Sequence, residues 1–354
     1  MLLALRSLAL LKPCCFGDVM LTTPLLGILR RTYPQARIDF IVGSHARAAV
    51  QANPLIDNRI DCGRVGQGGY PPADMLALIR KLRAGRYDAI FVPDRSPALA
   101  LAASLGGAHF SIGLSSGWRG LPYNYRVPVS PGDVRHEADL YLDLARALNI
   151  STEYAAVEYT PPADDRKAAL HILEQHNLFD KAFILIHPGG GQNPGMTFHE
   201  KRWPPPNFAR LAAQLMRETG LAVALVGGLG DDPILAAVKG LINLPLADFG
   251  PRPWGQIGAL AERCALYIGN DTGATHMAVG AGTRVVMILG PSDPRRYAPY
   301  GPRNWVNYVW REWRVPAAGV SAGAPGFSWD NGATVEDVFE TVMHLLYLGA
   351  HKPS

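Results

Sequence analysis

The chain has 354 residues, of which 48% are hydrophobic and 18% charged, with a net charge of +4. That balance argues against a disordered chain, and the length suits two α/β domains better than one core. The mild positive charge fits an anionic ligand or membrane surface, is too weak to argue for nucleic acid, and comes with no nucleic-acid motif. Cys14, Cys15, Cys62 and Cys264 show neither zinc spacing nor a framework of pairs, so a reduced cytoplasm is the expected setting.

Residues 1–11 are largely apolar with only Arg6 charged, and lead into Lys12-Pro13 and Gly17-Asp18 with no small-residue cleavage site. They read as a buried first strand, not a leader. Apolar runs at Ser7–Leu11, Ile38–Val42, Ala89–Val92 and Phe110–Leu114 predict the strands of the first half. Between the second and third, Met75, Leu78, Ile79 and Leu82 fall on one face of a helix, with Arg80, Lys81 and Arg83 on the other. Stretches such as Ala98–Ala108 are too short or too glycine-rich to span a bilayer. Ile150–Asp165 holds Pro161-Pro162, lacks strong periodicity, and reads as the domain linker.

The second half predicts strands at Phe183–His187, Ala222–Val226, Leu266–Ile268 and Val285–Leu289. Helices fall near Asn207–Glu218, Pro233–Leu241, Gln256–Arg263 and Ala274–Gly280. Tyr297–Asp330, rich in Pro, Gly and Trp, reads as loop, and Val335–Leu348 as a last helix. Such alternation predicts parallel sheets whose ligands sit outside the carboxyl ends of the strands. The expected organisation is an N-terminal domain over residues 1–160, a C-terminal domain over 161–330, and a terminal helix and tail over 331–354.

Four constellations carry candidate chemistry. The first is Phe16-Gly17-Asp18 after the first strand. Asp18 reads either as an N-cap or as a general base that removes the proton of an attacking hydroxyl. The second is His187-Pro188-Gly189-Gly190-Gly191, where Gly189 and Gly190 let backbone N–H groups approach a phosphate, or simply make a flexible loop. It continues to Lys201-Arg202-Trp203-Pro204, in which Lys201 would neutralise a diphosphate and Trp203 would pack. The third is Gly227-Gly228-Leu229-Gly230-Asp231-Asp232, where an acid at the end of a strand would hold ribose hydroxyls or cap a helix. The fourth and most specific is Gly269 to His276, GNDTGATH. Thr272 and Gly273 would open a helix onto a diphosphate, with Asp271 beside it on sugar hydroxyls. His276, four residues after Thr272 on the same face, reads as a ligand contact or as a packed core histidine.

Together these motifs resemble the heptosyltransferases, glycosyltransferase family 9, over nearly the whole chain. KPCCFGDVMLTTP (Lys12 to Pro24) is similar to the family's opening strand–Ser-Ser-x-Gly-Asp–helix, with Cys14-Cys15 in place of the serines. HPGGG, KRWP and GNDTGATH followed by GPSDP match its later motifs in order and spacing. The resemblance implies a GT-B fold, two Rossmann-like domains with parallel sheets facing across a cleft. It implies metal-independent, inverting transfer of a sugar from a nucleotide diphosphate. The expected donor is ADP-heptose, and the acceptor a glycan or lipid-linked hydroxyl such as lipopolysaccharide core. Asp18 falls on the catalytic base, Lys201 on the phosphate-contacting lysine, and Asp271, Thr272 and Gly273 on donor-sugar and diphosphate positions. Asp231 or Asp232 falls near the ribose-contacting acid.

A nucleotide-sugar epimerase or hydrolase on the same fold, and a non-catalytic nucleotide-sugar-binding protein, are the competing readings. An epimerase would need further acid/base groups in the second half, where only His187, His199 and His276 offer themselves before the last helix. The expected setting is cytoplasmic, with peripheral contact to the inner face of the membrane through Arg30-Arg31 or Arg80 to Arg86. No cofactor is called for, and the sequence contains no Asp-x-Asp motif to hold a metal. Donor binding and transfer are therefore expected to survive EDTA. Activity that vanishes with the chelator and returns with magnesium or manganese would overturn this.

Overall fold

The computed structural model describes residues 5–130, 132–313, 324 and 326–348. The chain divides into two compact units, Met1–Glu158 with Asn193–Met196, and Tyr159–Gln192 with Thr197–Ser354.

In the first unit the elements run β1 (Ser7–Leu11), α1 (Phe16–Thr32), β2 (Arg37–Val42), β3 (Asn58–Asp61), α2 (Pro72–Gly85), β4 (Ala89–Val92), α3 (Pro97–Leu105), β5 (Phe110–Ser115), β6 (Tyr125–Pro128) and α4 (Glu137–Arg146). The six strands pair in parallel in the order β3-β2-β1-β4-β5-β6. Ser96 caps α3 by accepting the Leu99 N–H, and Pro97 supplies the fixed φ of its first turn. On one face of the sheet Leu78 and Leu82 of α2 and Leu99 and Ala103 of α3 pack with Ala9, Leu11, Ile90 and Val92.

The second unit repeats the plan. Its elements are α5 (Ala163–Gln175), β7 (Phe183–His187), the short pair β8 (Gln192–Asn193) and β9 (Met196–Thr197), α6 (Pro205–Thr219), β10 (Ala222–Gly227), α7 (Asp232–Lys239), β11 (Ala247–Pro251), α8 (Trp254–Arg263), β12 (Leu266–Asn270), α9 (Gly273–Gly280), β13 (Val285–Ile288), α10 (Pro294–Tyr297), β14 (Val306–Val309) and α11 (Val335–Leu348). The large sheet is again parallel and six-stranded, ordered β11-β10-β7-β12-β13-β14. Trp203, Phe208 and Leu215 join Ile184, Ile186, Leu225 and Ile268 in its core, and Val338, Val342 and Leu345 of α11 close the same core.

All eight strands expected from apolar runs are present, within two residues at either end. Of the six strands that sequence reasoning missed, β3, β6, β11 and β14 are the edges of the two six-stranded sheets, and β8 and β9 form the separate short pair. Interior strands are covered on both faces and read as continuous apolar runs. Edge strands are short and tolerate charge, Pro and Gly, as in NRID, YRVP and ADFGP. The expectation that Tyr297–Asp330 is loop is corrected at Val306–Val309, which hydrogen-bonds onto β13 as an edge. Residues 314–323 and 325 of that stretch lie outside the described residues. Helices α3, α4, α5 and α10 were also not expected, and α5 begins inside the stretch read as a linker.

Trp203 is wholly buried, donates its indole N–H to the Ala333 carbonyl at 2.8 Å, and meets Phe208 edge-on at 5.0 Å. Trp203→Ala is expected to cost about 3–5 kcal/mol of stability. A urea midpoint unchanged from wild type would contradict this packing.

Candidate active site

In both sheets the strand order reverses once, between β1 and β4 and between β7 and β12. Loops leaving the carboxyl ends of those neighbours turn to opposite sides and leave a crevice. The candidate residues of each unit collect there.

In the first unit Asp18 follows β1. The N-cap reading is corrected in position: α1 starts at Phe16, so Cys15 is the N-cap and Asp18 stands three residues in. Its carboxylate reaches back to the Cys15 N–H at 3.4 Å, the reciprocal half of a capping box. Cys14 and Cys15, expected to be reduced, are joined by a disulfide. Lys12, buried at the end of β1, pairs with Asp94 at the end of β4 at 2.9 Å and lies 5.1 Å from the Tyr141 ring centre. Burial disfavours its charge, but Asp94, Tyr141 and Asp18 outweigh that and hold its pKa well above the ordinary value. Arg95 pairs with buried Glu137 of α4. Three carboxyls thus share two cations. Burial raises the pKa of Asp18, Lys12 opposes the rise, and Glu137 and Asp94 add to it.

In the second unit Lys201 and Asp271, 70 residues apart, form an ion pair at 2.6 Å. Burial alone would raise the Asp271 pKa; Lys201 and His276 together hold it below the usual range. His276 is buried on α9, with Nε2 3.9 Å from Asp271 Oδ1. Lys201 also lies over the Tyr297 ring, 5.6 Å from its centre. Thr272 is the N-cap of α9 yet makes no cap bond, and its buried hydroxyl has no partner among the described residues. Gly273 opens the helix, so the first-turn N–H groups emerge beside that hydroxyl.

The glycine loop packs against these groups. A Cβ on Gly189 would stand 2.1 Å from the Asp231 carboxylate, and one on Gly190 would stand 2.5 Å from the Thr272 methyl. Gly190 also has φ +90°, which side chains rarely adopt. Its N–H donates to Asp231 at 3.3 Å, and that carboxylate accepts the Gly228 N–H at 2.9 Å. Asp231 is buried, 3.7 Å from His187 and 4.0 Å from Arg202, whereas Asp232 is exposed at the start of α7. Burial pushes the His187 imidazole below its usual pKa, against the pull of Asp231.

Sequence reasoning missed the residues that hold this arrangement. Asn270, wholly buried, accepts the Trp203 N–H at 2.9 Å and donates to the Pro188 and Gly189 carbonyls. Arg202 donates to the Gly190 carbonyl at 2.8 Å. Lys12, Asp94 and Glu137 were likewise not singled out. A buried charge beside a strand end was the available signal for Lys12; nothing local marks the others.

Residues 75–320 match the family model of glycosyltransferase family 9 (heptosyltransferase). Lipopolysaccharide heptosyltransferase 3 of Escherichia coli is 25% identical over 292 residues, 80% of this chain and 82% of that protein. The crystal structure of a family 9 glycosyl transferase from Veillonella parvula superposes with a TM-score of 0.83 at 22% identity, covering 97% of each chain. The structure of E. coli ADP-heptose lps heptosyltransferase II has a TM-score of 0.75 at 21% identity, covering 98% of this chain and all of that one. The fold is therefore GT-B, and the chain belongs to glycosyltransferase family 9, the heptosyltransferases.

Proposed function

We propose that this glycosyltransferase moves heptose from ADP-heptose to a hydroxyl of a glycan or lipid-linked acceptor such as lipopolysaccharide core, with inversion and without a metal. The second unit supplies the donor cradle. Lys201, the Thr272 hydroxyl and the N–H groups at Gly273 face the diphosphate, with Gly189 and Gly190 closing on it. Asp271 takes sugar hydroxyls, and Asp232, exposed at the α7 start, takes the ribose. Asp231 holds the glycine loop in shape.

The observation that carries the reading is Asp18 in the first unit. Its carboxyl is tuned upward by burial and by Glu137 and Asp94, as suits a general base that must bind a proton during the reaction. The acceptor oxygen attacks the anomeric carbon while Asp18 takes its proton. The bond from that carbon to the diphosphate breaks on the opposite face, which inverts the configuration. Negative charge grows on the leaving diphosphate, where Lys201 and the α9 N-terminus are already oriented. Lys201 then divides its charge between Asp271 and the ligand.

Asp18→Asn is expected to lower turnover by about 10²–10⁴-fold and leave donor affinity nearly intact. Asn retains the size of the side chain and removes its basicity. Lys201→Ala is expected to weaken donor binding as well as turnover, which calorimetry and steady-state kinetics separate. Near-normal turnover in Asp18→Asn, with only a lower melting temperature, would return Asp18 to the capping box alone.

The base must be ionised, so the rate should fall as pH drops through the raised Asp18 pKa. Lys12 lowers that pKa, so Lys12→Met should move the acid limb of kcat/KM to higher pH. An acid limb that stays in place, in a variant that still folds by circular dichroism, would remove Asp18 from that role.

A further inference from the structure

We propose that the first unit docks on an anionic phospholipid surface through the outer face of α2, α3 and the turn at residues 117–120. That face exposes large apolar side chains with no core to join. Leu76 of α2 is 48% exposed, Leu101 of α3 51%, Trp118 of the turn 68% and Leu121 after it 56%. Leu105 follows Leu101 by four residues and shares its face of α3. α3 packs against both α2 and the turn, so these side chains belong to one continuous surface.

After Asp74 in the first turn of α2, which pairs with Arg64, the charges of these segments have one sign. Residues 75–87 contain Arg80, Lys81, Arg83 and Arg86 and no acid. Residues 95–132 contain Arg95, Arg119 and Arg126 and no acid. Arg95 is engaged by Glu137 and Lys81 by the Asp61 carbonyl, while exposed Arg80 follows Leu76 by one helical turn and exposed Arg119 adjoins Trp118 in the turn. Arg83 donates to the Leu105 carbonyl at 2.8 Å and Arg126 to the Leu121 carbonyl at 3.0 Å, which sets a guanidinium beside each end of the apolar patch. The other basic pair is partly neutralised, since Arg30 meets an acid. Arg30 binds the Leu55 and Ala36 carbonyls and Asp57, and Arg31 the Glu153 carbonyl.

An exposed tryptophan and leucines rimmed by arginines match the two terms of interfacial binding, apolar insertion and attraction to lipid phosphates. A specific protein partner is the weaker fit, because such interfaces use both signs of charge to set register. Among the described residues no helix is long and apolar enough to cross a membrane, so attachment of this part would be by its surface. The turn at 117–120 follows β5 at the carboxyl edge of the sheet, the edge that carries Asp18. Docking there would bring the base to a lipid-linked hydroxyl. The inference does not depend on which sugar is transferred.

Co-sedimentation of the full-length protein with phosphatidylcholine vesicles, with and without phosphatidylglycerol, tests it. Binding is expected only with phosphatidylglycerol and should be reversed by high salt. Trp118→Ser with Leu121→Ser should weaken binding by about tenfold or more. Arg80→Gln with Arg119→Gln should weaken it by roughly fivefold per charge. Both double variants should keep the wild-type melting temperature and transfer to a soluble acceptor. Wild-type protein that ignores the anionic vesicles, or variants that bind them as wild type does, would overturn the proposal. So would a wild-type dimer in light scattering that these variants dissociate, since the face would then belong to a second copy of the chain.

Discussion

The chemistry of both units depends on one constraint, the reversal of strand order at the centre of each sheet. At β1/β4 and at β7/β12 adjacent strands send their chains to opposite sides, and the carboxyl ends are left without a covering crossover. Backbone groups and strand-end side chains must then find partners across the gap. Lys12 reaches Asp94 across the first reversal, and Asn270 reaches the Pro188 and Gly189 carbonyls across the second. The candidate site residues sit where they do because the topology opens the sheet at those two places.

The buried charges follow from that opening. An ion pair withdrawn from water gains little net stability, because desolvation offsets the Coulomb attraction. Lys12–Asp94 and Lys201–Asp271 are better understood as preorganisation. Each holds a cation at a strand end with few conformations open to it. Burial makes Asp18 easier to protonate, and Glu137 and Asp94 add to that against the pull of Lys12. Asp231 acts similarly on backbone, fixing the Gly190 and Gly228 N–H groups and so the path of the glycine loop.

The two units share one strand order, although no sequence repeat is evident between the halves. The common feature is physical. Each has four interior strands rich in Val, Ile, Leu and Ala, flanked by edge strands that carry charges, Pro or polar residues. The outer helices then differ according to what they face. α11 closes the core of the second unit with Val338, Val342 and Leu345. α3 leaves Leu101 and Leu105 exposed on the first.

The sequence by itself determined the interior strands, the helices with a clear apolar face, and the order of the motifs that mark the family. Those signals are local. A strand covered on both faces must be apolar throughout, and a glycine or a helix-capping residue is legible from its own neighbours. It also marked the candidate loops, because HPGGG begins at the last residue of β7 and GNDTGATH joins β12 to α9. Only the tertiary structure decided which side chains meet. Lys201 and Asp271 are 70 residues apart, Lys12 and Asp94 are 82 apart, and Trp203 and Asn270 are 67 apart. Those pairings are set by strand order, which no local period encodes. The same holds for the edge strands, whose place depends on what lies beside them, and for Asp231, which local sequence offered as a ribose contact or a cap and the fold surrounded with backbone N–H groups. It holds for Asp18 as well. Its position in α1 turns on where the helix begins, and its raised pKa on burial first and then on carboxyls contributed by α4 and by the loop after β4.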